Sequence, residues 1–153
     1  MQGKTIEEIS LGDRAYFEKT ITETDVYLFA GISGDTNPAH MSCVAAEKSQ
    51  FKERIAHGLV SVSLISCVLG VHLPGPGTIY LGQEIRFTRP VKFGDTVRAE
   101  AEVIDIIPKK NRVVLKTTWT NQEGQVVIEG TATVMPPKAS TATTASTATA
   151  TTA

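Results

Sequence analysis

Between Arg54 and Glu84 the chain contains no Asp, Glu, Lys or Arg. An uncharged stretch of that length belongs in a membrane or in a core. Gly58, Ser61, Ser63, Ser66, Gly70, His72, Pro74 and Pro76 interrupt it. Its apolar part, Leu59 to Leu73, falls short of the roughly 20 residues that a spanning helix needs. The reading left is a buried helix from near Gly58 to about Gly70, apolar on nearly every side. Pro74-Gly75-Pro76-Gly77 must then turn the chain.

After that turn the hydrophobic period changes to two. Ile79, Leu81, Gln83, Ile85 and Phe87 fall on one face of a strand. Pro90 ends or edges it, and Gly94-Asp95 reads as a turn. Val97, Ala99, Ala101 and Val103 alternate with Arg98, Glu100 and Glu102, the pattern of a half-buried strand. Lys109-Lys110-Asn111 and Asn121-Gln122-Glu123-Gly124 are polar turns. They bound two further strands, over 113–119 and 125–135. Ahead of the buried helix, residues 14–20 read as a weaker strand. Thr22 stands where a helix N-cap should, with Glu23 and Asp25 in the first turn. Val26, Phe29, Ala30 and Ser33 form that helix's apolar or small face, and Gly34 ends it. Asp35-Thr36-Asn37-Pro38 reads as a turn, and Ser42 can cap a short helix running toward Phe51. Helices come first and an antiparallel meander last, which makes the class α+β. A sheet wrapped around one central helix is the simplest way to bury both.

The 153 residues carry 15 basic and 16 acidic groups, a formal net charge of −1. No basic excess exists to neutralise phosphates, so nucleic acid is not the expected partner. Residues 139–153 contain only Ala, Ser and Thr, too little apolar surface to offset ordering entropy. The expected organisation is one domain over 1–138 with a flexible tail over 139–153. The start of the chain, Met1 to Glu8, has no apolar run, so no signal peptide is expected. Cys43 and Cys67 form neither a metal-ligand spacing nor a disulfide framework. A cytoplasmic protein without a membrane partner fits these features.

Three histidines carry most of the chemical potential. His40 lies in Ser33-Gly34-Asp35-Thr36-Asn37-Pro38-Ala39-His40. Gly34 permits a strained exit from the helix, Asn37 can bond its own backbone, and Pro38 fixes a dihedral. A carboxylate and an imidazole on such a stiff segment can be aimed at one shared water. Equally, Asp35 can cap the turn while His40 bonds it. Gly58 opens the buried helix, leaving its N–H open to close approach at the positive end of the dipole. That suits a carbonyl oxygen gaining charge. His57 reads as a helix cap, His72 as a charge or cap at the helix C-terminus, and Trp119 as core. Cys67 reads as a small buried hydrophobe. Ser63, Ser66 and Gly70 share one small-residue face, for tight packing or for the wall of a narrow pocket.

The segment Tyr27 to His40, with Gly34-Asp35-Thr36-Asn37-Pro38-Ala39-His40 at its core and Ala46 beyond, resembles the hydratase motif of MaoC-like proteins. These include the (R)-specific enoyl-CoA hydratases. Ile55-Ala56-His57-Gly58, Ile79-Tyr80-Leu81-Gly82-Gln83 and Phe87-Thr88-Arg89-Pro90-Val91 followed by Gly94-Asp95 agree in order. The resemblance covers about residues 10–137. It departs at Ala39, where the family tends to a larger aliphatic, and at Ser42-Cys43, where Asp-Pro is frequent.

The resemblance implies a single hotdog fold, usually paired as a homodimer. It also implies reversible syn addition of water to trans-2-enoyl-CoA, giving (R)-3-hydroxyacyl-CoA, on short to medium acyl chains. By position, Asp35 and His40 would be the catalytic pair, and Asn37 would support the turn and the water. Gly58 N–H would bind the thioester oxygen. Ser66 would contact His40 or the acyl pocket, with Leu69 and Val134 as pocket walls. The implied reaction calls for no metal and no cofactor, coenzyme A being part of the substrate. Two alternatives differ in class. A hotdog thioesterase would want a carboxylate on the central helix, and the run from Arg54 to Glu84 has none. A non-catalytic acyl-CoA-binding domain would not need both Asp35 and His40. A dehydratase acting on acyl-carrier-protein substrates differs only in its carrier.

Overall fold

A computed structural model describes residues 2–139. The tail expected from residue 139 onward lies, Ala139 apart, outside the described residues. Five strands, β1 (Arg14–Thr20), β2 (Ile79–Phe87), β3 (Thr96–Ile107), β4 (Arg112–Thr120) and β5 (Val126–Met135), form one antiparallel sheet. Its order is β1-β3-β4-β5-β2. Before the sheet's main run come α1 (Glu23–Ser33), α2 (Pro38–Met41), α3 (Cys43–Glu47) and α4 (Gly58–Cys67).

The uncharged run becomes α4, packed on β1, β3 and β4. Val60, Leu64 and Ile65 of α4 are buried, as are Val68 and Leu69 just after it. They meet the inward residues of the sheet, among them Val97, Ala99, Ala101, Val103, Leu115, Trp119, Ile128 and Val134. Ala99 and Ala101 are small, which leaves room for a helix close above the strand. The wrapped helix and the α+β class expected from periodicity are therefore both present. Trp119 is fully enclosed, as its reading as core requires.

Three local expectations change. The helix does not run regularly to Gly70: after Cys67 it widens into a π-helical turn, Val68–His72. His72 caps no carbonyl; its Nε2 lies 3.8 Å from Sγ of Cys67, itself only half-buried. In β2 the alternation slips at a bulge between Tyr80 and Gly82. Only Gln83 and Ile85 stay partly buried, while Ile79, Tyr80, Leu81 and Phe87 are exposed on this edge strand. A bulge inserts one residue and so reverses the faces on one side of it, which a strict period of two cannot register. Among the described residues no helix is long and apolar enough to cross a membrane.

Candidate active site

Local capping builds the segment that bears Asp35 and His40. Thr22 and Asp25 form a reciprocal capping box at the start of α1, and Gly34 ends the helix at φ 75°, in the left-handed region. The segment after it is not a plain turn. Asn37 Oδ1 accepts the Ala39 N–H at 3.0 Å, Pro38 takes the first helical position, and His40 rides on the single turn of α2. Asn-Pro is a helix-start signal as much as a turn signal. Asn37 thus stiffens the segment as expected, by capping. Ser42 caps α3 in the same way.

Asp35 stands half-exposed. The Asn37 N–H donates to its Oδ1 at 3.1 Å. His40 Nδ1–H donates to the Ile55 carbonyl at 2.8 Å, which in the neutral ring leaves Nε2 as the lone pair. His57 is only 2 % exposed. Its Nε2–H donates to the Asp35 backbone carbonyl at 2.9 Å, and that nitrogen lies 3.9 Å from Asp35 Oδ2. The two imidazoles lie with ring centroids 3.9 Å apart and planes 34° from parallel.

Gly58 follows as the first residue of α4, where a helix leaves N–H groups without an internal acceptor. A Cβ at Gly58 would collide with the Phe87 ring. Asp35, His40, His57, Gly58 and Phe87 border one cavity of about 470 Å³, with Phe29, Phe51, Leu59 and Ile128 among its apolar walls. Behind it, Arg54 pairs with Glu23 and with the Tyr27 hydroxyl, and its guanidinium lies 4.7 Å from the Phe93 ring centre. The Tyr27 hydroxyl and then Arg54 hold the Glu23 carboxyl below the usual carboxylate range. This cluster ties the start of α1 to the segment leading into α4.

A thioester carbonyl beside Gly58 and a water between Asp35 and His40 would therefore share one enclosure. The model for the MaoC like domain matches residues 10–125. An (R)-specific enoyl-CoA hydratase of Rhodospirillum rubrum is 53% identical over 131 residues, covering 86% of this chain and 90% of that protein. The chain belongs to the MaoC like domain family.

A 3-hydroxybutyryl-CoA dehydratase of Methylorubrum extorquens is 42% identical, over 86% of this chain and 83% of its own length. Among solved structures, the R-hydratase PhaJ1 of Pseudomonas aeruginosa superposes with a TM-score of 0.84 at 49% identity, covering 90% of this chain and 88% of that one. The (R)-hydratase of A. caviae involved in PHA biosynthesis gives 0.83 at 37% identity, over 86% and 99%. The hotdog fold is thus shared with proteins well above the level where only architecture is informative.

Within this MaoC-like chain, Asp35, His40 and Gly58 converge on the cavity, and Asn37 sits directly behind Asp35. Ser66, Leu69 and Val134 do not border it. Ser66 is exposed on α4, level with Ser63 and Gly70, while Leu69 and Val134 are closed into the core. His57 is the residue that sequence reasoning misplaced. As N-cap of α4 its side chain makes no capping bond; it reaches instead to a carbonyl 22 positions away. Nothing local in Ala56-His57-Gly58 announces that partner.

The ligand-capable atoms of Asp35, His40 and His57 lie within 4.8 Å of one another. Those residue types can bind a metal. Here His57 Nε2 is engaged by the Asp35 carbonyl and His40 Nδ1 by the Ile55 carbonyl.

Proposed function

We propose that this protein is an (R)-specific hydro-lyase that adds water to trans-2-enoyl-CoA and removes it in reverse. The observation that carries the reading is the meeting of Asp35, His40 and Gly58 at one cavity, in a chain 53% identical to a named (R)-specific enoyl-CoA hydratase.

The chemistry follows from these positions. Addition of water at Cβ places negative charge on the thioester oxygen, and Gly58 N–H, at the positive end of α4, is the donor for it. The water is held between Asp35 and the Nε2 lone pair of His40. Between them the pair takes one proton from the water and returns one to Cα. Both transfers come from the same side of the double bond, which makes the addition syn. His40 Nδ1–H, fixed on the Ile55 carbonyl, keeps Nε2 free for this duty. As proposed, the reaction uses no metal or redox cofactor, and coenzyme A enters as part of the substrate.

The aromatic and aliphatic walls, Phe29, Phe51, Leu59 and Phe87, suit a short to medium acyl chain. A homodimer is part of the proposal. Strand β2 has a sheet neighbour on one side only, and Ile79, Tyr80, Leu81 and Phe87 on it, with Leu59 of α4, are exposed in one chain. A second copy laid there would cover them. Free Cys43 and Cys67 fit a reducing, cytoplasmic setting.

The test is loss of the conjugated-thioester absorbance on addition of crotonyl-CoA, with chiral analysis of the 3-hydroxybutyryl product. The (R)-enantiomer is expected. Folded Asp35→Asn and His40→Gln variants should each lose about 10²–10⁴-fold in kcat. An (S)-product, or wild-type rates in both variants, overturns the reading. Light scattering on the purified chain should give twice the protomer mass.

A further inference from the structure

We propose that His57 is a positioning residue, holding Asp35 and His40 in register through a fixed ring tautomer opposite to that of His40. The inference rests on the hydratase reading of the site.

Asp35 is tied to the rest of the fold by surprisingly little. Its N–H donates to Ser33 Oγ and its Oδ1 accepts from Asn37 N–H, both within two residues. Among the described residues its one long-range hydrogen bond is the 2.9 Å contact from His57 Nε2–H to its carbonyl. Without that bond, Asp35 itself keeps only local hydrogen bonds, and the nearest ties of its segment to the body are at Ala39 and His40, which meet Ile55.

His40 is tied to the same short stretch. Its Nδ1–H is held by the Ile55 carbonyl, and its ring lies 3.9 Å from that of His57. Ile55 N–H in turn donates to the Ala39 carbonyl at 3.3 Å, and Ala56 N–H to Val91 at 2.8 Å. The stretch 55–58 is thus bonded to the body of the protein. It supplies, in sequence, the carbonyl that orients His40, the ring that anchors Asp35, and the Gly58 N–H. Three parts of one reaction take their spacing from four consecutive residues. The Phe29 ring, 5.0 Å from His57, adds an apolar contact to that ring.

Both imidazoles donate to carbonyl oxygens, which accept only, so the tautomer of each neutral ring is determined. His40 carries its hydrogen on Nδ1 and His57 on Nε2. The Nδ1 of His57 is then a buried lone pair with no partner among the described residues. Desolvating an acceptor without a partner is unfavourable. A residue whose only duty was to fill space would not need that arrangement; one whose Nε2–H must reach Asp35 does.

Two substitutions separate the bond from the ring. His57→Gln keeps a donor near the position of Nε2, and His57→Phe keeps a ring but no donor. A misplacement of about 1 Å in a reacting group lowers rate by about 10²-fold. His57→Phe should therefore lose roughly 30- to 100-fold in kcat on crotonyl-CoA, with KM within about twofold. His57→Gln should stay within about fivefold of wild type. Histidine-selective ¹⁵N NMR of the unsubstituted protein reads the tautomers directly, whatever the variants do. It should place hydrogen on Nδ1 of His40 and on Nε2 of His57. A His57→Phe enzyme with wild-type kcat, a His57→Gln enzyme as slow as His57→Phe, or hydrogen on Nδ1 of His57 each overturns the proposal. Absence of hydration by the wild-type protein overturns the hydratase reading instead, and the NMR spectrum then still decides the tautomers.

Discussion

The α4–sheet body and the α1–α3 segment are stabilised in opposite ways. In the body, apolar side chains from a helix and five strands close over one another. The segment from Glu23 to Glu47 buries only Val26, Ala30 and Ala46, and exposes Leu28, Val44 and Ile32, the last at 85 %. Its shape comes from caps: Thr22 with Asp25, Gly34, Asn37 and Ser42. Asp35 and His40 belong to this second region, while Gly58 and His57 belong to the edge of the first. The cavity is therefore a seam between a rigid body and a locally stitched arm. In the proposed reaction Asp35 and His40 need partial access to water and substrate, which a closed core would deny them.

That contrast can be broken by one pair of substitutions, which carries the largest expected effects. Trp119→Ala removes a fully enclosed ring from the body and should lower unfolding free energy by about 3–5 kcal/mol in urea denaturation. Asp35→Asn, on the arm, should leave the denaturation midpoint within error while kcat falls at least 100-fold. Equal losses of stability in the two variants would show that the arm is part of the cooperative core.

Gly58→Ala tests the seam itself. The added methyl meets the Phe87 ring, so the ring must move or the helix start must shift. The N–H of residue 58 would be screened or displaced, and kcat should fall by about tenfold or more. A second substitution, Phe87→Ala, opens the space again and should restore part of that loss in the Gly58→Ala background. No restoration would place the effect in the helix backbone instead.

The two regions also differed in how well the sequence revealed them. The uncharged run from Arg54 to Glu84 and the alternation at Val97, Ala99, Ala101 and Val103 made the body legible, because burial imposes a period on the chain. Caps are legible too: Thr22, Gly34 and Ser42 act where the sequence placed them. The Asp35–His40 element was readable through its resemblance to a family motif, since local pattern alone left capping and catalysis balanced. Three things were not readable. The β2 bulge depends on its partner strand β5. The one-turn α2 hides in an Asn-Pro step that also signals a turn. The bond from His57 to Asp35 joins positions 22 residues apart, and no local spacing encodes it.

The arm's caps give a smaller, sharper version of the comparison. Thr22→Ala deletes an N-cap oxygen and should cost about 1 kcal/mol. The loss should be confined to α1: amide exchange over 23–33 should quicken, while that over 58–67 stays unchanged. Uniform acceleration would mean the arm and body open together.

Acid titration gives the smallest effect and tests the sign of the same cap. Burial pushes the Asp25 carboxyl up, but hydrogen bonds from the Thr22 backbone and hydroxyl, with Lys19 beside it, outweigh this. They hold the carboxyl below its ordinary value. Its contribution is therefore fully present above the unfolded carboxylate value, near 4, and is lost as pH falls through the lower folded value. Asp25→Asn should weaken α1 by about 0.3–1 kcal/mol at pH 7. The gap to wild type should narrow below pH 4, because protonation removes the same charge. Amide exchange in α1 at pH 7 and pH 3.5 reads both values. A gap that widened toward acid would mean that the protonated carboxyl, not the carboxylate, completes the capping box, and the arm would then owe its order to something other than its caps.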